Sequence, residues 1–137
     1  MSFGIYRVAH IILTGLELAS QENLERVLSE QGHRVTIGWS AALPAADALF
    51  CNGDDPGYSG LVRRIRALQP GLPVVVVTRL PEAEKWLDAL EAGAADYCSA
   101  PFETRQIGWL LAAVLGHVAP GERNQARADT SNSPVLL

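Results

Sequence analysis

The chain has 137 residues, of which 48% are hydrophobic and 19% are charged, and its formal net charge is -4 at pH 7. This length and composition predict one compact domain rather than a disordered chain, and the acidic balance argues against nucleic-acid binding by this chain alone. No stretch approaches the roughly 20 apolar residues that a membrane helix needs, and no basic leader precedes the first apolar run, so neither a membrane span nor a secretory signal is expected.

Short apolar runs alternate with amphipathic stretches along the chain, which predicts a parallel sheet covered by helices. The strands are predicted at Arg7–Leu13, Arg34–Ile37, Ala48–Cys51, Val74–Val77 and Asp96–Cys98. The helices are predicted at about Ser20–Gln31, Gly60–Leu68, Pro81–Gly93 and Glu103–Val118. The run of four valines has no polar face, so its strand should be buried on both sides.

The connection between Ile37 and Ala48 is too short for a strand exit and a full helix. Pro44 interrupts it, so we expect one helical turn or a loop in place of a second helix. This shortening would expose one side of the first and third strands unless Trp39 folds over the gap.

The last third of the chain predicts one amphipathic helix on each side of the final strand. The helix that begins near Pro81 is expected to bury Ala83, Leu87 and Leu90. The polar, turn-rich residues 119–137 are predicted to be a tail or linker, which leaves residues 1–118 as the domain.

Cysteines, histidines and clustered arginines form no recognisable motif. Cys51 and Cys98 lie far apart without CxxC spacing, which favours small core residues in a reducing compartment over metal ligands. The histidines are equally scattered, at His10, His33 and His117. The arginine cluster, which favours a solvated helix face, consists of Arg63, Arg64 and Arg66.

Two segments carry a family resemblance. ADALFCNGDDPGYSG, residues 46–60, ends an apolar strand and continues into a loop with Pro56, Gly57 and Gly60. DALEAGAADYCSAPF, residues 88–102, ends in Pro101 and Phe102. Both segments resemble the receiver domain of response regulators (CheY-like). The resemblance covers about residues 7–118 and implies a doubly wound, flavodoxin-like α/β fold with a five-stranded parallel sheet in the order 2-1-3-4-5 and a shortened second helix.

The resemblance also assigns positions. Asn52 stands where the family carries its phosphorylated aspartate, and Ala100 stands where it carries an invariant lysine. Thr78 occupies the switch hydroxyl position and Tyr97 the aromatic switch position. Pro101 follows the lysine position and is commonly preceded by a cis peptide bond in the family.

The acid pair that binds the family's metal should follow the first strand, but its positions fall among Thr14, Gly15 and Leu16, and only Glu17 is acidic nearby. Mg²⁺ prefers carboxylate and water oxygens, and an asparagine is not a phosphoacceptor. We therefore expect no metal, no cofactor and no enzymatic phosphoryl transfer.

These departures predict a pseudo-receiver, which is a phosphorylation-independent interaction module in bacterial, cytoplasmic two-component signalling. Receiver domains commonly pair through the helices that flank the last strand. Trp86, Tyr97 and Trp109 are predicted to lie on that face and to bind a protein partner or a second copy of the chain.

Two alternatives stay open. The first is a small-ligand sensor that uses the emptied pocket, whose expected lining is Thr14, Gly15, Asn52, Thr78 and Ala100. The second is a conventional phosphorylated receiver that uses Asp54 or Asp55. Both aspartates are expected to serve only as turn-forming acids ahead of Pro56.

Overall fold

The structure, a computed structural model, describes residues 8–42, 45–79 and 82–116, apart from the side chains of residues 83 and 85. Its elements follow the order β1 (His10–Thr14), α1 (Leu18–Glu30), β2 (Arg34–Ile37), β3 (Ala48–Asn52), α2 (Tyr58–Leu68), β4 (Val74–Thr78), α3 (Ala83–Ala92), β5 (Asp96–Ser99) and α4 (Thr104–Leu115). The predictions that concern Arg7, Pro44, Pro81, His117, Val118 and the tail at 119–137 lie outside the described residues.

The five strands form one parallel sheet in the order β2-β1-β3-β4-β5, as predicted. All five residues of β4 are buried, because this strand has a neighbour on each side and helices cover both of its faces. The valine run therefore occupies the position that its lack of polar residues predicted.

Alternate residues of the strands face two separate cores. Ile11 and Leu13 point to the side covered by α1 and α4, whereas Ile12 points to the side covered by α2 and α3. This arrangement is the doubly wound fold that the pattern of strands and helices predicted.

No helix is present between β2 and β3 within residues 38–42 and 45–47. Trp39 packs over the core beneath this gap, which is the arrangement that the sequence left open as the alternative to exposed strands. Its indole Nε1 donates to Gln69 Oε1 at 3.3 Å, and the Arg64 guanidinium lies 5.6 Å from the ring centre. One aromatic side chain thus shields the part of the sheet that a helix would otherwise cover.

The strands beneath the gap are adapted to the missing helix. His10 Nε2 and Thr36 Oγ1 form a hydrogen bond of 2.7 Å, and both side chains are half-buried. Thr36 lies on the same face of the sheet as Ile12, with which it pairs across β1 and β2. Polar residues at these positions tolerate solvent, so this edge does not need a covering helix.

The predicted inner face of α3 is wrong. Leu87 is 52% exposed and Leu90 is 38% exposed, whereas Ala89 and Ala92 are buried against the sheet. The side chain of residue 83 lies outside the described set. Small alanine side chains face the sheet, and the geometry of 100° per residue then directs the larger leucines away from it.

Among the described residues, no helix has the length and apolar character needed to cross a membrane.

Candidate functional site

The predicted pocket residues meet at the carboxyl edge of the sheet, since parallel strands end on the same side. Thr14, Asn52 and Thr78 are the last residues of β1, β3 and β4. A Cβ built on Gly15, which has a φ of 73°, would lie 4.0 Å from the Asn52 Cβ. The Ala100 backbone N–H donates to the Thr78 carbonyl at 2.8 Å. The structure therefore brings these five predicted residues to one end of the fold.

Asn52 organises the loop that follows it. Its side-chain Oδ1 accepts a hydrogen bond of 2.9 Å from the backbone N–H of Asp54. Such a contact closes a tight turn between residues two apart in the sequence. The amide at the expected phosphoacceptor position thus serves to shape the β3–α2 loop.

Gly53 lets this loop lie directly on β4. Its N–H donates to the Val77 carbonyl at 2.7 Å. A Cβ at this position would stand 2.5 Å from the Val76 Cγ1 and 3.2 Å from the Val77 oxygen. Only a residue without a side chain fits here, so Gly53 determines how closely the next residue approaches Thr78.

The Asp54 side chain turns into the site. One carboxylate oxygen accepts a short hydrogen bond from the Thr78 hydroxyl, and the other accepts the Arg79 backbone N–H at 3.0 Å. Thr78 is only 1% exposed, so its hydroxyl depends on a protein acceptor. The expectation that Asp54 is merely a turn-forming acid is therefore wrong, because its carboxylate binds the switch threonine.

Arg79 completes a network of three charges. Its guanidinium donates to Glu17 at 3.2 Å, and its Nε lies 3.6 Å from the Asp54 carboxylate. The arginine side chain is 57% exposed, so solvent screening leaves these ion pairs with little effect on stability. Arg79 was not among the predicted site residues, although its position directly after the switch threonine was the available signal.

Comparison with known proteins agrees with this geometry. No model of a known protein family matches the chain. The chain is 32% identical over 119 residues to the phosphate regulon transcriptional regulatory protein PhoB of Pseudomonas aeruginosa, across 84% of this chain and 50% of that protein. It is 31% identical over 138 residues to the response regulator protein FleR of the same organism, across 94% of this chain and 28% of that protein. The chain thus spans half or less of these two relatives.

Solved structures give the same result for the fold. A CheY-like receiver domain protein from Methanospirillum hungatei superimposes with a TM-score of 0.69 at 19% identity, over 88% of this chain and 99% of that one. A response regulator from Thermotoga maritima gives a TM-score of 0.71 at 17% identity, over 80% and 99%. The chain has the fold of a CheY-like receiver domain, and its sequence similarity to response regulators supports a receiver domain of that type.

A cis peptide bond and the residue at the aromatic switch position lie on or directly after β5, next to the site. The Ala100–Pro101 peptide bond is cis, as the resemblance predicted. Tyr97 is half-buried on β5 and packs against the core formed with α2 and α3. Its hydroxyl is buried and has no hydrogen-bond partner within the described part of the chain. Tyr97 therefore points inward although its polar atom is unsatisfied.

The acidic side chains of this receiver domain do not suit a divalent metal. Thr14 Oγ1 accepts the Trp39 backbone N–H at 3.3 Å, and Thr14 offers no carboxylate. The two carboxylates nearby, Asp54 and Glu17, both contact the Arg79 guanidinium. Within residues 8–42, 45–79 and 82–116, no three His, Cys, Asp or Glu side chains cluster as metal ligands. The donor set does not fit Mg²⁺.

A cavity of about 480 Å³ opens beside the β3–α2 loop of the receiver domain. Its lining combines that loop with α2 and α3: Gly53, Asp54, Asp55, Pro56, Tyr58, Ser59, Arg63, Asp88 and Glu91. None of the five predicted pocket residues is among them. Burial raises the pKa of the Tyr58 phenol, and the nearby Asp88 carboxylate raises it further.

The two tryptophans predicted at an interface are exposed. Trp86 on α3 is 46% exposed and Trp109 on α4 is 70% exposed, with the Arg105 guanidinium 5.9 Å from the Trp109 ring centre. These helices flank β5, the last strand of the sheet. The exposed Leu87 and Leu90 adjoin Trp86 on α3 and extend its apolar surface.

The clustered arginines mostly serve the domain itself. Arg64 stacks over Trp39, and Arg66 donates to the Pro70 carbonyl at 2.6 Å. Arg63 lines the acidic cavity. Arg63 and Arg64 are exposed, as expected for a solvated helix face.

Proposed function

We propose that this receiver domain acts in two-component signalling as a phosphorylation-independent protein-interaction module. The observation that carries the proposal is that the Asp54 carboxylate accepts hydrogen bonds from the Thr78 hydroxyl and from the Arg79 backbone N–H. The resemblance assigns Thr78 to the switch hydroxyl position. An internal anion already binds these two donors here, next to an asparagine and an alanine at the acceptor and lysine positions.

The groups that usually stabilise charge during phosphoryl transfer, a metal ion and a lysine ammonium, have no counterpart among the residues described at this site. A bound metal ion supplies several kcal/mol of charge stabilisation in such reactions, whereas Asp54 and Glu17 contact the Arg79 guanidinium here. Ala100 provides no ammonium to neutralise a transferred group. The conventional alternative would need Asp54 to leave Thr78, or phosphorylation of Asp55, whose side chain is exposed on the β3–α2 loop.

Treatment with acetyl phosphate and Mg²⁺, followed by intact-mass measurement, tests this proposal. We expect no added phosphoryl mass on the protein, and none on Asn52→Asp, because that variant restores a carboxylate without the acid pair or the lysine. A conventional receiver domain treated in parallel verifies the donor. Stable phosphorylation of the unaltered chain would refute the proposal.

The interaction surface that we propose consists of Trp86, Leu87, Leu90, Tyr97 and Trp109, and we call it the tryptophan face. Exposed tryptophans frequently dominate binding energy at interfaces. Glu84, Asp88 and Glu91 are exposed on α3 around its apolar residues. This charge pattern favours a signalling protein whose contact surface has an apolar centre and a basic rim.

Self-association is the first form of this interaction to measure, by sedimentation velocity over a range of protein concentrations. If the chain dimerises through the tryptophan face, the double variant Trp86→Ala, Trp109→Ala should be monomeric and still unfold cooperatively. Leu18→Ala, which removes an exposed leucine from α1, is the matched control and should leave association unchanged. A dimer that survives the double substitution would exclude this face.

A ligand-sensing role is the second candidate, and the cavity beside the β3–α2 loop favours it. Its volume of about 480 Å³ lies within the range of roughly 300–1,000 Å³ that is usual for small-molecule sites. The acidic lining suits a cationic ligand. A thermal-shift screen with polyamines and other organic cations tests this role, and Asp88→Asn should abolish any shift that arises in the cavity.

A further inference from the structure

The shortened connection between β2 and β3 leaves a groove on the side of the sheet that carries α2 and α3. Val35 packs against the core covered by α1 and α4, so Arg34 and Thr36 point to the opposite side, because side chains alternate along a strand. Trp39 covers the inner part of this region and is half-buried. Trp39 and Thr36 therefore form the floor of the groove, and Arg34 lies at its outer edge, since β2 is the edge strand of the sheet.

One face of α2 forms the wall of this groove. Arg64 lies over the Trp39 ring, which places it on the groove side of the helix, whereas Arg63 lines the cavity on the α3 side. Leu61 and Leu68 lie within about 60° of Arg64 around the helix axis, at 100° per residue. Leu61 is half-buried and Leu68 is 52% exposed. We call this surface the α2 groove, and it consists of Arg34, Thr36, Trp39, Leu61, Arg64 and Leu68.

The α2 groove has an apolar centre and a basic rim. Arg34 and Arg64 are both exposed at its borders. The carboxylate of Asp47 faces the start of β1 instead, where it accepts the His10 backbone N–H at 2.7 Å. A groove of this kind is complementary to an amphipathic helix that carries apolar residues at its centre and acidic residues beside them.

The outer surface of α3 has this complementary pattern. Trp86, Leu87 and Leu90 are exposed and lie within about 100° of one another around the helix axis. The helix has 10 residues and is about 15 Å long, and the groove wall from Leu61 to Leu68 spans about 10 Å, so the apolar stripe of α3 fits along the wall. The acidic residues beside the stripe, which are also exposed, are Glu84, Asp88 and Glu91.

Within one molecule, α3 cannot reach the α2 groove. The helix α2 packs against α3 on one side and forms the groove wall on its other side, so it stands between the two surfaces. We infer that the α2 groove binds α3 of a second copy of this chain. The inference rests on the proposed interaction function and names both the partner of the α3 surface and the site on that partner.

This contact joins two different surfaces, so each molecule in a pair keeps one unused groove and one unused α3. A two-fold arrangement that made both contacts at once would bring the α2 helices together and place Arg63 and Arg64 opposite their copies, where like charges repel. The association is therefore head-to-tail and extends beyond a dimer as the protein concentration rises.

Mixing two complementary variants of the full chain tests this inference by sedimentation velocity. The groove variant is Arg64→Glu, Leu68→Asp, and the α3 variant is Trp86→Ala, Leu90→Ala. Each variant alone should associate at least about tenfold more weakly than the unaltered chain, because one side of the contact is altered. An equimolar mixture should form a 1:1 heterodimer and nothing larger, because it contains one intact α3 and one intact groove.

Control variants separate this contact from others. Leu18→Asp, Arg63→Glu makes the same two changes outside the groove, on α1 and on the other side of α2, and should associate like the unaltered chain. Trp109→Ala, on α4, should do the same. Urea denaturation verifies that each variant unfolds cooperatively. If the groove variant does not, Arg34→Glu at the exposed sheet edge takes its place in the mixture.

Three results would overturn the inference: an unaltered chain that is monomeric at every concentration, a mixture without heterodimer, or a groove variant that associates as tightly as the unaltered chain. Loss of association in Trp109→Ala would also overturn it, by assigning the contact to two tryptophan faces. None of these results touches the phosphorylation-independent function, which the acetyl phosphate experiment decides. Phosphorylation of the unaltered chain would refute that function, while the mixing experiment would still report on the α2 groove.

Discussion

Substitution of Gly53 by alanine should destabilise the domain although glycine to alanine is often favourable. The φ of Gly53 lies outside the left-handed range, so its backbone suits alanine and any penalty is steric. The added Cβ would stand 2.5 Å from the Val76 Cγ1 and 3.2 Å from the Val77 carbonyl oxygen. Val76 is fully buried in an interior strand and is stiff at χ1, so neither obstacle moves easily.

The magnitude follows from two opposing effects. Overpacking of a close-packed site costs about 1–3 kcal/mol, whereas the reduced entropy of the unfolded chain returns about 0.4–1 kcal/mol. We expect Gly53→Ala to lower the free energy of unfolding by about 1–2 kcal/mol on this reasoning. Displacement of the loop should also weaken the contact of Asp54 with Thr78.

Urea denaturation followed by circular dichroism measures this change, with Gly60→Ala as the matched control. Gly60 lies in α2 and a Cβ there would have no atom within 4 Å, so alanine should raise the free energy of unfolding by about 0.5–1 kcal/mol. The opposite signs separate steric cost from the general effect of the substitution. A Gly53→Ala protein as stable as the unaltered one would refute the close packing of the loop on β4.

Three further outcomes are expected. Trp39→Ala should lower the free energy of unfolding, measured in urea, by about 2 kcal/mol, because the tryptophan covers the part of the sheet where no helix lies between β2 and β3. An unchanged free energy of unfolding would show that this part of the sheet does not depend on Trp39. Burial lowers the pKa of His33 below 6.5, so the contribution of His33 to the free energy of unfolding should be constant above about pH 6.5 and fall as the pH drops towards the folded pKa. His33→Gln should remove this pH dependence, and a pH dependence that persists in the variant would show that other groups cause it. Burial raises the pKa of the Cys51 and Cys98 thiols to about 12, so Ellman's reagent at neutral pH should label both only in denaturant, and rapid labelling of the native protein would contradict their burial.

The sequence determined the fold because its signals are local and periodic. The valine run of β4 and the alternation of strands and helices predicted a parallel sheet, and loop spacing from Asn52 to Gly60 indicated the receiver domain. The length of one connection also predicted a single turn or a loop in place of a full second helix. Such features depend on chain length and residue type alone, which the sequence contains in full.

The tertiary structure decided what surrounds the site, because those contacts join distant residues. Asp54 and Thr78 are 24 positions apart and Glu17 and Arg79 are 62 apart, so no spacing rule connects them. The inner face of α3 was decided in the same way, since close packing on the sheet selected Ala89 and Ala92 over the larger leucines. Burial of large apolar residues is only an average preference, and the fit between a helix and the sheet beneath it can override that preference.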